Sequence, residues 1–355
     1  MHKFINNDSL VLGLMSGTSM DGLDISCSRY YENENGWNFE LIACKTFPYD
    51  NELRTCLLKA FKKEISLLEI EHIFTKLLIK NIHSFLKSFS LQVDLISSHG
   101  HTIFHDPDNG YTKQIGLGNV ISKKIQVPVV CDFRQQDIDL GGQGAPLVPI
   151  GDKLLFQEYD SCLNLGGIAN ISFDHDGVRY AYDVCPCNII LNNLSKKTGK
   201  DFDKNGEIAK AGKVNKLLFN KLNSIDYFKV NYPKSLSKEY IDTHFDFLIN
   251  TSNLSTEDLM STFVEHFAYQ ISNSFSILDI NNSFITGGGT FNEYLISRIK
   301  YYSQTDLIIP NADIINFKEA IVFGFLGVLK VLNKNNCLSS ATGSIRDHSS
   351  GRIYF

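Results

Sequence analysis

The segment Gly13-Leu-Met-Ser-Gly-Thr-Ser-Met-Asp-Gly-Leu-Asp24 gathers glycines, hydroxyls and two carboxylates in one short stretch. Gly17 and Gly22 let backbone N–H groups approach an anion closely. Ser16, Thr18 and Ser19 add hydroxyl donors, and Asp21 and Asp24 can hold a magnesium ion through water. No lysine follows, so this is not the GxxxxGK[ST] phosphate loop. A plain Gly/Ser hairpin turn is the competing reading. A second glycine turn, Leu163-Asn-Leu-Gly166-Gly167-Ile-Ala-Asn170, stands about halfway along the chain. A third cluster, Gly287-Gly288-Gly289-Thr-Phe-Asn292, ends an apolar run. Two glycine hairpins can clamp the phosphates of a nucleotide, and glycines at the third position permit flat contact with its base and ribose.

The elements that must position these turns follow from the pattern. Leu10–Leu14 and Leu23–Cys27 read as strands around the first turn. Residues 162–165 and 168–173 do the same around the second, so strand–turn–strand occurs once per half, a weak internal duplication. Further strands are expected at 93–97, 127–131, 178–182 and 283–286. Ser66 and Glu69 form a capping box for a helix over 66–90, with Ile70, Phe74, Leu78, Ile82 and Phe85 at helical spacing. A helix over 188–198 ends at Gly199. Ser255 and Asp258 open another, with Leu259, Phe263, Phe267, Ile271 and Phe275 on one face. A closing helix is expected over 318–332. Alternating strands and helices make the fold class α/β.

Composition bounds the rest. With 355 residues, 43% of them hydrophobic, the chain can fill two cores. The expected lobes are 1–130, with a tail from about 335 to 355 returning to it, and 131–334. A net charge of −5 leaves no basic face for nucleic acid. The apolar run Ser9–Met15 has no positive flank, and Ala320–Leu332 is broken by Lys330 and too short for a bilayer. A cytoplasmic protein with no membrane or nucleic-acid partner is therefore expected. Its eight cysteines should be reduced, and without a CxxC pair no structural zinc site is expected. Asp201-Phe-Asp203-Lys-Asn205-Gly206 mimics a calcium loop, but its twelfth position is Gly212, so a solvated turn is expected. The tail segment Arg346–Gly351 is also expected to be solvated. His99, His101 and His105 alternate along a strand and, with Asp132, define a competing expectation of a metal-dependent hydrolase. The absence of HExxH and CxxC counts against it.

The three glycine segments, in this order, resemble the acetate kinase, sugar kinase, heat-shock chaperone and actin superfamily. That resemblance implies a two-lobed actin-like ATPase fold, each lobe a mixed β-sheet with flanking helices, and an ATP cleft between. Met15–Asp24 (MSGTSMDGLD), Asp132–Pro149 (DFRQQDIDLGGQGAPLVP), Leu163–Ser172 (LNLGGIANIS) and Gly287–Asn292 together resemble the anhydro-N-acetylmuramic acid kinases over nearly the whole chain. The resemblance implies a double reaction. Water opens the internal 1,6-anhydro bond, and the freed O6 takes the γ-phosphoryl group of ATP. It assigns ATP to Gly17, Thr18, Ser19, Met20, Asp21, Gly22, Leu23, Asp24, Gly166, Gly167, Gly287, Gly288, Gly289 and Asn292, with magnesium held at Asp21 through water.

The base is then Asp183, first residue of DVCPCN where the family has DTGPGN. A carboxylate suits this role, because water attacking a sugar carbon must lose a proton. The segment 98–102 reads SHGHT where the family has CHGQT, so His99 matches and His101 replaces glutamine. His99, Arg134, Asp137, Gln143 and Glu319 are assigned to the sugar, with Arg134 suited to the lactyl carboxylate and Glu319 opening the last helix. An inter-lobe salt bridge for Arg134 and a first-turn acid favoured by the helix dipole for Glu319 are the competing readings. The partner is a small amino sugar, and a homodimer is compatible with the resemblance. Val184, Cys185 and Cys187 depart from the family motif. Cysteines at positions needing positive φ would reshape the turn, so a non-catalytic ATP-binding relative is the other alternative.

Overall fold

Two compact units make up the chain in the computed structural model, which describes residues 6–355. The first takes the chain up to Leu155 together with Phe317–Phe355, and the second is Phe156–Asn316. The change-over expected near residue 130 thus falls inside the first unit. Its sheet holds β1 (Leu10–Ser16), β2 (Gly22–Asn33), β3 (Gly36–Pro48), β4 (Leu95–Asp106), β5 (Tyr111–Ile115) and β6 (Val129–Cys131). From β3 the order runs β3-β2-β1-β4-β6, and the C-terminal strand Arg352–Tyr354 pairs antiparallel with β6. β5 pairs with β4. β1 is almost wholly apolar because it is central, antiparallel to β2 and parallel to β4.

The second unit repeats the plan with β7 (Ser161–Leu165), β8 (Ile168–His175), β9 (Val178–Pro186), β10 (Asn282–Thr286) and β11 (Asp306–Ile308). Its order is β9-β8-β7-β10-β11, the same antiparallel hairpin-pair followed by two parallel strands. The duplication hinted at by the two glycine hairpins is therefore carried by the whole strand order. Each sheet is mixed and helices pack on it, as an α/β fold requires.

Five helices matter here. α1 (Leu67–Phe89) is capped by Ser66, which accepts from the Glu69 N–H, and it buries Ile70, Phe74, Leu78, Ile82 and Phe85. α2 (Asn188–Lys196) follows β9 directly. α3 (Thr256–Ile277), capped by Ser255, runs through the core of the second unit with Phe263, Phe267 and Ile271 fully buried. α4 (Glu293–Tyr302) starts at an Asn292 cap. α5 (Ala312–Val331) begins six residues before the expected start, because Asn311 caps it through the Ile314 N–H. Among the described residues no helix is long and apolar enough to cross a membrane.

From Ala320 onward, α5 lies close against the first sheet. A Cβ on Gly13 would stand 1.8 Å from the Ala320 carbonyl oxygen, and one on Gly327 would stand 2.5 Å from Ser97 Cβ. Tyr30 Oη donates to the Ile321 carbonyl at 2.6 Å, and the Ser97 hydroxyl donates to that of Phe323. Gly13 therefore has no room for a side chain. Gly13→Ala is expected to destabilise the protein by about 3 kcal/mol through overpacking. A fall in the urea midpoint checks this, and an unchanged midpoint would mean that helix and strand separate freely.

Two turns expected to be solvated are only partly so, since Asp201, Phe202, Lys204, Arg346 and Asp347 are exposed while others are buried. Asp203 is buried and caps the turn after it, accepting from the N–H groups of Ile208 and Ala209. In the tail, His348 and Ser350 are buried, with Ser350 Oγ donating to the Phe133 carbonyl. Satisfying backbone groups of the same fold holds both segments down.

Candidate functional site

In the first unit the glycine-rich turn joins β1 to β2. Thr18, Ser19 and Asp21 are exposed, and Gly17 and Met20 are half-buried. The left-handed residue is Met20, at φ 56°, and its N–H closes the turn on the Gly17 carbonyl. Gly17 itself is not left-handed, and a Cβ there would meet only Ser19 Oγ at 3.5 Å. Gly22 is the tight position, with a Cβ falling 2.9 Å from the Phe47 carbonyl oxygen. Leu23 is buried, so it offers a ligand only its backbone. The base of the turn is fixed by buried Ser16, whose hydroxyl bonds to Tyr49 Oη (2.6 Å) and His101 Nδ1 (2.9 Å). Ser19 donates to Asp21 Oδ1 and Thr46 to Asp24 Oδ1. Burial raises the Asp24 carboxyl above its ordinary value; the Thr46 bond opposes this and the Asp21 charge adds to it.

Gly17→Val is expected to fold normally, since its own chain leaves room, but to raise the KM for ATP by roughly tenfold or more. Steady-state kinetics at saturating sugar check this, and an unchanged KM would move the phosphates away from this turn.

Arg134 organises a second cluster in this unit. Its Nε (3.0 Å) and Nη2 (2.8 Å) both donate to His99 Nε2, and its Nη1 donates to the Gly144 carbonyl at 2.7 Å. Arginine only donates, so His99 Nε2 accepts and Nδ1–H donates to the Gly100 carbonyl at 3.0 Å. His99 is thus held neutral. Burial pushes its pKa well below the ordinary value, and the Arg134 charge pushes the same way. Burial also lowers the Arg134 pKa to about 10, against the pull of Glu319. Arg134 is consequently tied within its own unit rather than held in a simple salt bridge. Glu319 is exposed and lies eight residues into α5, not in its first turn. Surrounding protein raises its carboxyl pKa; Lys318 and Arg134 pull it down, and Asp24 and Asp152 push it up. Lys318 and Asp152 form a buried pair at 2.7 Å that the sequence did not flag.

Asp137 and Gln143 have different fates. Gln143 is exposed, its N–H anchored on the Thr342 carbonyl at 2.8 Å. Asp137 is fully buried; Oδ2 accepts from the Gly144 N–H (2.7 Å), and Oδ1 accepts from Thr342 Oγ1 (2.7 Å) and Cys337 Sγ (3.1 Å). Its oxygens bond the 141–144 loop and the tail, so it supports the loop rather than facing a sugar.

The metal-hydrolase reading fails on this geometry. Both ring nitrogens of His99 are engaged by protein, and His101 Nδ1 is committed to Ser16. Neither ring belongs to a cluster of three ligating side chains among the described residues.

In the second unit Asp183 lies inside β9, not beyond its end. Asn170 pairs with Asp183 and Ala169 with Cys185, so Val184 is an extra residue on β9. Such a bulge re-aims the neighbouring side chain. Asp183 is half-buried, and its Oδ2 accepts the Leu236 N–H at 2.8 Å. Its backbone is held by the Lys234 carbonyl and Tyr227 Oη. Burial raises the Asp183 carboxyl above its ordinary value, and the Leu236 bond only partly offsets this. Nothing in the sequence pointed to the segment around Leu236, because its contact with Asp183 spans 53 residues.

The departures in DVCPCN cause no left-handed strain. Neither Cys185 nor Cys187 has positive φ, and both are fully buried in the hydrophobic core. Burial pushes the Cys187 thiol up to about 12. The glycine turns meet in this unit. Gly166 and Gly167 accept the N–H groups of Asn188, Cys187 and Ile189, and Asn188 Nδ2 donates to the Leu165 carbonyl. Gly287 is left-handed at φ 86°, with a Cβ there falling 2.5 Å from Asn164 Oδ1. Gly288 is exposed, Gly289 is buried against Leu165, and Asn292 spends Oδ1 on the Leu295 N–H.

A family model described as anhydro-N-acetylmuramic acid kinase matches residues 9–355. A protein of that name from Sulfurimonas denitrificans is 32% identical, covering 97% of this chain and 98% of its own. Another from Zymomonas mobilis subsp. mobilis is 32% identical over 98% of this chain and 100% of its own. Among solved structures, the (R)-2-hydroxyglutaryl-CoA dehydratase component A of Acidaminococcus fermentans covers 92% of this chain at 10% identity, with a TM-score of 0.47.

Proposed function

The chain belongs to the anhydro-N-acetylmuramic acid kinase family, and from that premise we propose that it uses ATP to open 1,6-anhydro-N-acetylmuramic acid and phosphorylate its O6. The product is N-acetylmuramic acid 6-phosphate, as murein recycling requires. The observation that carries this reading is Asp183. It is a half-buried carboxylate of raised pKa, aimed by a bulge and fixed by a backbone N–H. Such a group takes a proton efficiently once ionised.

In this proposal Asp183 accepts a proton from the water that attacks the anomeric carbon. The ring C1–O6 bond breaks, and O6 leaves as an alkoxide that bonds to the γ-phosphorus of ATP, with ADP departing. Phosphoryl transfer itself needs positioning and neutralised charge. The turn at 17–24 supplies N–H and hydroxyl donors for phosphate, and Gly167 and Gly288, where a side chain would meet little of the chain itself, leave room for nucleotide. Asp21 and Asp24 fit a magnesium ion: each keeps a second carboxylate oxygen beyond its hydroxyl partner, and their mutual repulsion is relieved by a cation. When bound, that ion would neutralise phosphate charge. Arg134, Gln143 and Glu319 are proposed to meet the sugar, while His99 and Asp137 position Arg134 and its loop.

The test is ADP release from ATP and magnesium with and without the anhydro sugar, with mass spectrometry of the product. Sugar-dependent ADP and a product heavier by one phosphate and one water are expected. Bound ATP with no sugar-dependent ADP would refute the reading and favour a non-catalytic relative.

A further inference from the structure

Three side chains that take no part in the bond-making and bond-breaking of the proposed reaction converge in the first unit. Asp137, Cys337 and His348 are all buried, and one ligating atom of each lies within 4.8 Å of the others. Cys337 and His348 face each other across an isolated antiparallel bridge, with N–H···O bonds of 3.1 and 3.2 Å in the two directions. Asp137 reaches them from a segment 200 residues earlier. No short spacing betrays such a site, which is why the absence of CxxC did not reveal it.

His348 gives the decisive detail. Its Nδ1 stands 3.1 Å from the Arg346 carbonyl oxygen, which can only accept, so Nδ1 carries the hydrogen. In the neutral ring Nε2 then presents a lone pair. That nitrogen is buried and has no hydrogen-bond partner, and it faces Asp137 Oδ1 at 3.6 Å. A proton on Nε2 or a metal ion would satisfy this pair, and the Cys337 thiol beside it is a metal donor. Imidazole, thiol and carboxylate are the donor set of zinc-class ions. Tetrahedral bonds of ordinary length place such donors about 3.3–3.6 Å apart. Here Oδ1 lies 3.6 Å from Nε2, within that span, and 3.1 Å from Sγ, so the sulfur must move outward by a few tenths of an ångström on binding.

We propose that Asp137 Oδ1, Cys337 Sγ and His348 Nε2 form a structural site for a zinc-class divalent cation, clamping the C-terminal tail to the segment that carries Arg134. Binding replaces the Cys337 S–H bond with a metal–thiolate bond, and the thiol proton goes to solvent. The Thr342 hydroxyl donates to Asp137 Oδ1 at 2.7 Å and so orients this carboxylate.

The untagged full chain, stripped with chelator, is titrated with cobalt as a probe and separately with zinc. One equivalent of cobalt with a thiolate-to-metal charge-transfer band is expected, together with a zinc-dependent rise in the thermal midpoint. Cys337→Ser should abolish the band, and His348→Gln should weaken binding by at least about tenfold. Absence of both the band and the zinc-dependent rise in the wild-type chain overturns the proposal and leaves a hydrogen-bonded clamp. A band that persists in Cys337→Ser overturns it too, because another cysteine would then hold the metal. Both wild-type readings stand even if the variants fail to fold.

Discussion

Asp183→Asn is expected to lose turnover by about 10²–10⁴-fold, the usual contribution of a positioned base, while keeping its fold and its ATP affinity. The amide can still accept the Leu236 N–H through its oxygen, so the local hydrogen bond survives. The charge is what disappears. In the wild type, burial raises the folded carboxyl pKa. A raised pKa gives a stabilising contribution that is complete below the unfolded value and is lost as pH rises through the folded one. At neutral pH the ionised Asp183 is therefore a net burden on the fold, and the asparagine variant should unfold no earlier than wild type. Activity runs the other way, because the base must be ionised. The acid limb of kcat should thus lie above the range of an ordinary aspartate and vanish in the variant. Near-wild-type turnover in Asp183→Asn would remove this residue from the chemistry.

The second large effect is expected at Arg134. Three of its N–H groups already serve His99 and Gly144, which leaves hydrogens on Nη1 and Nη2 for a carboxylate. Arg134→Met should raise the KM for the anhydro-muramic sugar by roughly ten- to a hundredfold, the scale of a charge-assisted hydrogen bond. The same change frees His99 and the 144 carbonyl, so a purely structural effect must be separated. The control is the analogue without its lactyl acid. Wild type should prefer the acid-bearing sugar, and the variant should lose most of that preference. Equal losses on both sugars would make Arg134 a support for its loop and nothing more.

Local signals made much of this legible. Ser66 with Glu69 and Ser255 with Asp258 marked helix starts that the side chains do cap. The apolar strands around both glycine turns were plain, because central strands buried on two faces need continuous apolar residues. The apolar run after residue 318 masks the true helix start at the Asn311 cap just after Pro310, so Glu319 lies beyond the first turn. Asp137 looked like a ligand-facing acid, since its partners Cys337 and Thr342 lie 200 and 205 residues away. The support behind Asp183 was hidden for the same reason. Pattern reading sees neighbours along the chain, and these groups are neighbours only in space.

The split of the first unit also orders events on the ribosome. The second unit is one continuous stretch, Phe156–Asn316, and its sheet is complete once β11 has been made. The first unit lacks α5, which covers β1 at Gly13, and the strand that closes its edge at β6 until translation reaches residue 354. Domains generally fold as units while synthesis proceeds. The later-encoded half should therefore mature first on the nascent chain. The N-terminal half must wait, exposed to proteases and chaperones, for the last residues to emerge.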